Sequence, residues 1–182
     1  MNFVPKYLFF TKGVGKSKEK LQSFEMALRN AHIAEYNLVR VSSILPPGAK
    51  ILSEKQGLKK LSPGQIVFVV LADIATNEPN RLIASSVGIA QPDDKERYGY
   101  LSEHHCYGAT DSFAGDYAED LAASMLASTY GFDMDSDVKY DEKSEIWKIN
   151  NIKVRTRNIT QSAVGDKNGL WTTVVSAAVL VF

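Results

Sequence analysis

The segment 65–73 (QIVFVVLAD) limits the fold more than any other stretch of the chain. A strand that lies half in water alternates apolar and polar residues, whereas this one is nearly continuous in apolar side chains. It predicts a strand covered on both faces, which requires a layer above and a layer below its sheet. Further strands are expected at residues 7–11, ended by Gly13 and Gly15, and at 37–42, stopped by Pro46-Pro47-Gly48. Segments 82–90, 98–107, 146–154 and 170–182 also read as strands, with 165–169 turning between the last two. A helix is expected at 17–31, where Leu21, Phe24, Leu28 and Ala31 recur at helical spacing. A second is expected at 112–130, capped by Asp111 and Ser112, closed by Gly131 and striped by Phe113, Tyr117, Leu121, Met125 and Leu126. Two amphipathic helices with six or seven strands predict an α+β sandwich, helices outside packed sheets.

Neither a repeat nor a linker interrupts the 182 residues, which favours one domain, 1–182, large enough to bury a core. Lys+Arg and Asp+Glu both number 21, so the chain lacks the basic footprint that binding a phosphate backbone needs, and no nucleic acid is expected as a partner. The longest apolar run, 174–182, falls far short of the ~20 residues of a membrane helix, so no membrane is expected either. Residues 1–12 lack a signal-peptide layout. Cys106 is the only cysteine, which excludes an intrachain disulfide and makes a reducing cytoplasm the expected location.

Three short segments could carry chemistry. Gly13-Val14-Gly15-Lys16-Ser17 lies between a strand and a helix, as a phosphate-binding loop does, but the leading glycine of that motif is replaced by Phe10. A tight turn with Ser17 as helix cap accounts for it better. In His104-His105-Cys106, strand alternation sets His104 and Cys106 on one face and His105 with Glu103 on the other. Two ligands on a face do not make a zinc site, which takes about four, and no metal is expected. The third segment, Ser42-Ser43-Ile44-Leu45-Pro46-Pro47, ends an apolar strand with two hydroxyls against a rigid pair of prolines. On composition alone it is a strand end whose hydroxyls serve the turn; Ser85-Ser86 shows how common such a pair is. Glu25 sits on the edge of the first helix's apolar stripe, where a carboxylate must find a partner or reach out to solvent.

The stretch 37–47 (NLVRVSSILPP) closely resembles the self-processing segment of the pyruvoyl-dependent arginine decarboxylases. The similarity extends to 24–34, Leu61-Ser62-Pro63-Gly64, 82–92, Gly99-Tyr100-Leu101-Ser102-Glu103, the second helix and the C-terminal strand, and so covers most of the chain. The resemblance implies an αββα sandwich of two mainly antiparallel sheets with outer helices. It also implies a precursor that cuts itself between Ser42 and Ser43 into a small chain, 1–42, and a large chain, 43–182. Ser43 would attack the Ser42 carbonyl to form an ester; elimination would release the chain ending at Ser42 and leave dehydroalanine, which would lose ammonia on hydrolysis to become a covalently bound pyruvoyl group in place of Ser43. Its ketone would take the α-amine of the amino-acid substrate as a Schiff base and act as the electron sink that pyridoxal phosphate provides elsewhere, so no pyridoxal phosphate is expected. By the same resemblance Glu103 returns the proton and should lie in an apolar, pKa-raising site.

Asn37 matches a family position linked to processing and substrate contact. Glu25 aligns with an aspartate that receives the substrate guanidinium. Six extended residues separate Asn37 from Ser43, roughly 20 Å, which favours a site at a subunit interface of a homo-oligomer, expected to be a trimer of processed protomers. The activity implied is L-arginine to agmatine and CO2. Another cationic amino acid as substrate, or an unprocessed trimeric binding relative without catalysis, are the alternatives.

Overall fold

A computed structural model describes residues 3–132, 138–141, 146–149 and 152–182. In chain order the elements are β1 (Tyr7–Ser17), α1 (Lys20–Asn30), β2 (Asn37–Arg40), β3 (Ile44–Leu45), β4 (Lys50–Leu52), α2 (Glu54–Leu58), β5 (Ile66–Thr76), β6 (Leu82–Pro92), β7 (Gly99–Tyr107), α3 (Asp111–Thr129), β8 (Val138–Asp141), β9 (Ile146–Ile149), β10 (Ile152–Val164) and β11 (Trp171–Val181). They form a five-stranded sheet ordered β2-β5-β11-β1-β4 and a six-stranded sheet ordered β3-β7-β6-β10-β9-β8. Pairing is antiparallel except for β2 on β5 and β4 on β1. The two sheets pack face to face, with α1 on the outside of the first and α3 on the outside of the second. This is the αββα sandwich expected. Among the described residues no helix is long and apolar enough to cross a membrane.

The run at 65–73 is apolar throughout because β5 is covered twice. Val67, Val69 and Leu71 join Ala27, Ala31 and Ile33 beneath α1. Val70 and Ala72 point the other way and join Val87, Ile89 and Leu101 between the sheets. Each fully buried Val or Leu contributes about 1.5–3 kcal/mol relative to an exposed one, so three apolar layers fix which strands can be central.

The expected break at Gly13 and Gly15 does not occur. β1 continues through both glycines to Ser17, paired with β11 from Tyr7↔Val181 to Ser17↔Trp171. Their role is to seat a helix: a Cβ on Gly13 would lie 2.2 Å from the Ala27 carbonyl oxygen, and one on Gly15 2.2 Å from that of Ser23. There is accordingly no loop that could wrap a phosphate. The helix starts at Lys20, with Glu19 rather than Ser17 at its cap position.

Close approach also corrects both apolar stripes. In α1 the fully buried positions are Ser23 and Ala27, with Phe24 and Leu28 partly covered and Leu21 79% exposed. In α3, whose cap is Thr110, the buried face is Ala114, Gly115, Ala118, Ala122, Ala123, Leu126 and Ala127, while Phe113 and Tyr117 are exposed. A helix backbone that rests almost on a sheet has room beneath it only for small side chains, so volume overrides hydrophobicity.

The strand expected at 37–42 ends at Arg40, and the one at 146–154 is two strands, β9 and β10; residues 150–151 between them lie outside the described residues. Neither β4 nor α2 was anticipated, although Ser53-x-x-Gln56 forms a capping box at the start of α2 and is a readable helix signal.

Candidate functional site

The parallel ladder of β2 on β5 ends where the Val41 N–H donates to the Val69 carbonyl at 3.1 Å. Two residues later the Ser43 carbonyl accepts the Leu101 N–H at 2.7 Å, and β3 continues antiparallel along β7, Ile44 opposite Tyr100. The Ser42–Ser43 peptide is therefore the link by which the chain passes from one sheet to the other at an edge of the sandwich. It belongs to neither ladder. The Ser42 carbonyl accepts the Ile44 N–H at 2.9 Å.

Beyond β3 the chain turns at once. The Ala49 N–H returns to the Pro46 carbonyl at 3.2 Å across Pro47 and Gly48, and Gly48 has φ +64°. Proline first and a left-handed glycine second is the pattern of a type II turn. The Lys50 N–H then donates to the Lys6 carbonyl and the chain rejoins the first sheet as β4. The visit to the second sheet is thus two residues long, bounded by Ser42-Ser43 on one side and Pro46-Pro47-Gly48 on the other.

The departure of β2 leaves the next edge groups of β5 without a strand partner, and side chains take its place. The Leu71 N–H donates to Glu103 Oε1 at 3.0 Å, and the Leu71 carbonyl accepts from Arg40 Nη1 at 3.3 Å. Arg40 Nη2 in turn bonds Asp73 Oδ1. Glu103 follows Leu101 by two residues on the same face of β7, so strand alternation carries it to the edge where Ser43 is tied. Within one chain it is exposed, and the apolar enclosure expected for it is not supplied by that chain. Against Ser42 lies an apolar cavity of about 390 Å³, lined among others by Val41, Ile44, Phe68 and Phe182.

The other two expected residues lie elsewhere. Asn37 begins β2; its N–H donates to the Gln65 carbonyl and its Nδ2 to the Gly64 carbonyl, each at 2.8 Å. Glu25, on α1, accepts from Arg29 Nε at 2.7 Å and lines an open cleft of about 1070 Å³ with His32, Tyr36 and Glu54. His32 Nδ1 meets Glu54 Oε1 at 2.7 Å, tying the end of α1 to α2. Burial, with help from Glu35, pushes the Tyr36 hydroxyl up from its ordinary pKa. In one chain, then, Ser42, Ser43 and Glu103 gather at the sandwich edge, while Glu25 and Asn37 lie toward the opposite end of β2.

Sequence reasoning missed Arg40, Leu71 and Asp73. The only signal was a charged residue at the end of each of two apolar strands, 31–33 positions apart in the bonds they form. His104 and Cys106 turn away from this edge toward α3, the His104 ring resting 4.3 Å from that of Tyr117. Burial pushes His104 below and Cys106 above their ordinary pKa values. Among the described residues no group of three or more His, Cys, Asp or Glu could hold a metal ion.

Comparison with known proteins places this geometry. The pattern of the family described as pyruvoyl-dependent arginine decarboxylase matches residues 7–182. A probable pyruvoyl-dependent arginine decarboxylase of Chloroherpeton thalassium is 60% identical, with 100% of both chains covered. The pyruvoyl-dependent arginine decarboxylase of Nitrosopumilus maritimus is 54% identical over 100% of this chain and 99% of its own. Pyruvoyl-dependent arginine decarboxylase 2 of Methanosarcina acetivorans is 51% identical over 98% and 97%. This chain belongs to the pyruvoyl-dependent arginine decarboxylase family.

Proposed function

We propose that this chain decarboxylates L-arginine to agmatine and CO2 with a pyruvoyl group made from its own Ser43. Cleavage between Ser42 and Ser43 yields a small chain, 1–42, and a large chain, 43–182, of one domain. The observation that carries the reading is the Ser42–Ser43 peptide suspended between two sheets, pinned at Val41 on one side and at the Ser43 carbonyl on the other, with Glu103 on the same edge. A segment so held keeps hydroxyl and carbonyl from drifting apart, which is the entropic part of an intramolecular attack. The surroundings fit the product: Ser43 is half-buried, beside apolar Val41 and Ile44 and next to an apolar cavity.

The pyruvoyl group supplies an electron sink for the pair left by the departing carboxylate. This chain's residues do the rest. Glu103 delivers the proton to the substrate carbon, its carboxyl oriented by the Leu71 N–H. Glu25 receives the cationic end of the substrate, and Asn37 holds its polar middle. Since these two lie apart from Ser43 in one chain, a neighbouring copy completes each site, and the working form is a homotrimer whose interface covers Glu103.

Intact-mass spectrometry under denaturing conditions, followed by CO2 release from arginine, ornithine and lysine, tests the reading. Expected are two chains parting at Ser42–Ser43, with arginine the preferred substrate. A single whole chain after prolonged incubation, or no CO2 from any of the three, overturns it.

A further inference from the structure

Arg157 occupies a position that strand register assigns to the core. It stands opposite Ile89 of β6, and Ile89 and Ile159 both pack between the sheets, so alternation turns Arg157 to that same inner face. It escapes burial because the apolar layer ends there. Arg157 is exposed at a mouth between the sheets, a cavity of about 350 Å³. The turn Pro46–Ala49 forms part of its wall, fastened to the second sheet by Gln91, whose Nε2 donates to the Ala49 carbonyl at 3.4 Å.

Lys50, Lys95 and Arg97 line the same cavity, so four cations face the single carboxylate of Asp94. That carboxylate is already engaged: Oδ2 accepts Arg97 Nε at 3.1 Å and Oδ1 accepts the Glu96 N–H at 3.0 Å. The preceding Asp93 is taken by Arg155 at 3.2 Å. Among the described residues no carboxylate pairs with Lys50, Lys95 or Arg157. The chain as a whole balances 21 cations with 21 anions, so this excess is local.

We propose that this mouth is a binding site for a small inorganic polyanion of the phosphate class, with pyrophosphate as its representative. Like charges gathered around one cavity repel, and an anion among them turns that repulsion into attraction. Guanidinium forks and ammonium groups are the donors that recognise phosphate oxygens. Arg97 is held in place for this by Asp94 and by the Tyr130 ring, 5.0 Å from its guanidinium carbon. Size and lining narrow the ligand. The volume lies at the low end of the roughly 300–1,000 Å³ of small-molecule pockets, and no aromatic side chain lines it, so the base of a nucleotide has no ring to stack on. A single carboxylate would leave most of the four cations unanswered. Every residue of the site follows Ser43, so its composition is the same in the whole and the cleaved chain. Pro46 lines both this mouth and the apolar cavity against Ser42, and an occupant braces the wall that the two share.

Isothermal titration calorimetry of the full chain with sodium pyrophosphate, at about 0.15 M salt to screen diffuse attraction, tests the proposal. Expected is a single site per chain with Kd at or below roughly 1 mM. Lys95→Gln with Arg157→Gln should weaken it at least about 10-fold, the scale of a lost charged hydrogen bond. Lys18→Gln with Lys167→Gln removes the same charge at the opposite end of β1, near the Ser17–Trp171 pair, and should leave Kd unchanged. Absence of saturable binding at about ten times that concentration overturns the proposal. Equal weakening by the two pairs also overturns it, by assigning the effect to overall charge. A second measurement needs no variant: acetylation of each lysine by N-hydroxysuccinimidyl acetate is followed by mass spectrometry. Pyrophosphate should slow Lys50 and Lys95 several-fold and leave Lys18 unaffected; rates that do not change, or that fall at all three alike, overturn the assignment.

Discussion

The two glycines of β1 give a quantitative handle on how the fold supports the site. In Gly15→Ala the new Cβ would stand 2.2 Å from the Ser23 carbonyl oxygen and 2.4 Å from the Ala27 nitrogen, both backbone atoms of α1. Real Cβ contacts begin at about 3.0 Å, so α1 must lift by roughly 0.8 Å, because a close-packed interior has no slack to absorb the difference. Overpacking of this kind costs about 1–3 kcal/mol. For a domain of this size each kcal/mol lowers Tm by about 2–4 °C, giving a fall of about 2–12 °C. The functional consequence is selective. α1 carries Glu25, so kcat/KM for arginine should drop by as much as about 100-fold, the scale expected when a binding group is misplaced by about 1 Å. The Ser42–Ser43 link is held by Val69 and Leu101, not by α1, so cleavage should proceed as before. Thermal unfolding, intact mass and steady-state kinetics on one preparation test all three. An unchanged Tm refutes the idea that the glycines seat the helix, and lost cleavage with normal kcat/KM in the cleaved fraction refutes the separation of the two regions.

Three further outcomes are expected. Arg29 occupies the Glu25 carboxylate that the substrate is proposed to need; the pair is exposed (72% and 41%), so it competes weakly, and Arg29→Gln should lower KM for arginine by at most about 5-fold. A KM that stays the same or rises speaks against Glu25 as the receiving group. Arg40→Met leaves the Leu71 carbonyl and Asp73 without their guanidinium; with Arg40 half-exposed the stability loss should be on the order of 1 kcal/mol, measured by denaturant unfolding, and turnover should fall as the Glu103 anchor loosens. Full turnover in that variant would detach Arg40 from the site. Burial, followed by the charge of His105, pushes His104 below its ordinary 6.5, so the folded chain binds this proton less readily than the unfolded one. Its contribution is complete above pH 6.5 and is lost as the pH falls from there through the depressed folded value. Tm should therefore decline more steeply below pH 6.5 in the unaltered chain than in His104→Phe, and parallel declines would assign the effect to other groups.

Where one physical rule decided an element, that element was legible in the sequence. Residues 65–73 had to be central because nothing short of two covering layers accommodates an unbroken apolar run, and β5 has both. Gly13 and Gly15 misled because glycine serves two purposes that a sequence does not separate, a turn or a seat for another backbone, and here Ala27 and Ser23 press on them. Phe113 and Tyr117 mislead for the same reason from the other side: hydrophobicity assigns them to the buried stripe, but α3 packs by volume. The site divides along the same line. Ser42-Ser43 could be singled out, since hydroxyls, prolines and glycine are adjacent in the chain. The groups that stand in for the missing strand could not, because Leu71 meets Arg40 and Glu103 across separations of 31 and 32 residues. Those contacts exist only because β2 leaves β5 at Val41. The crossing that suspends the Ser42–Ser43 peptide is thus also what exposes the Leu71 N–H, and with it the anchor of Glu103. One topological event creates both the bond proposed to be cut and the place of the acid proposed to act beside it.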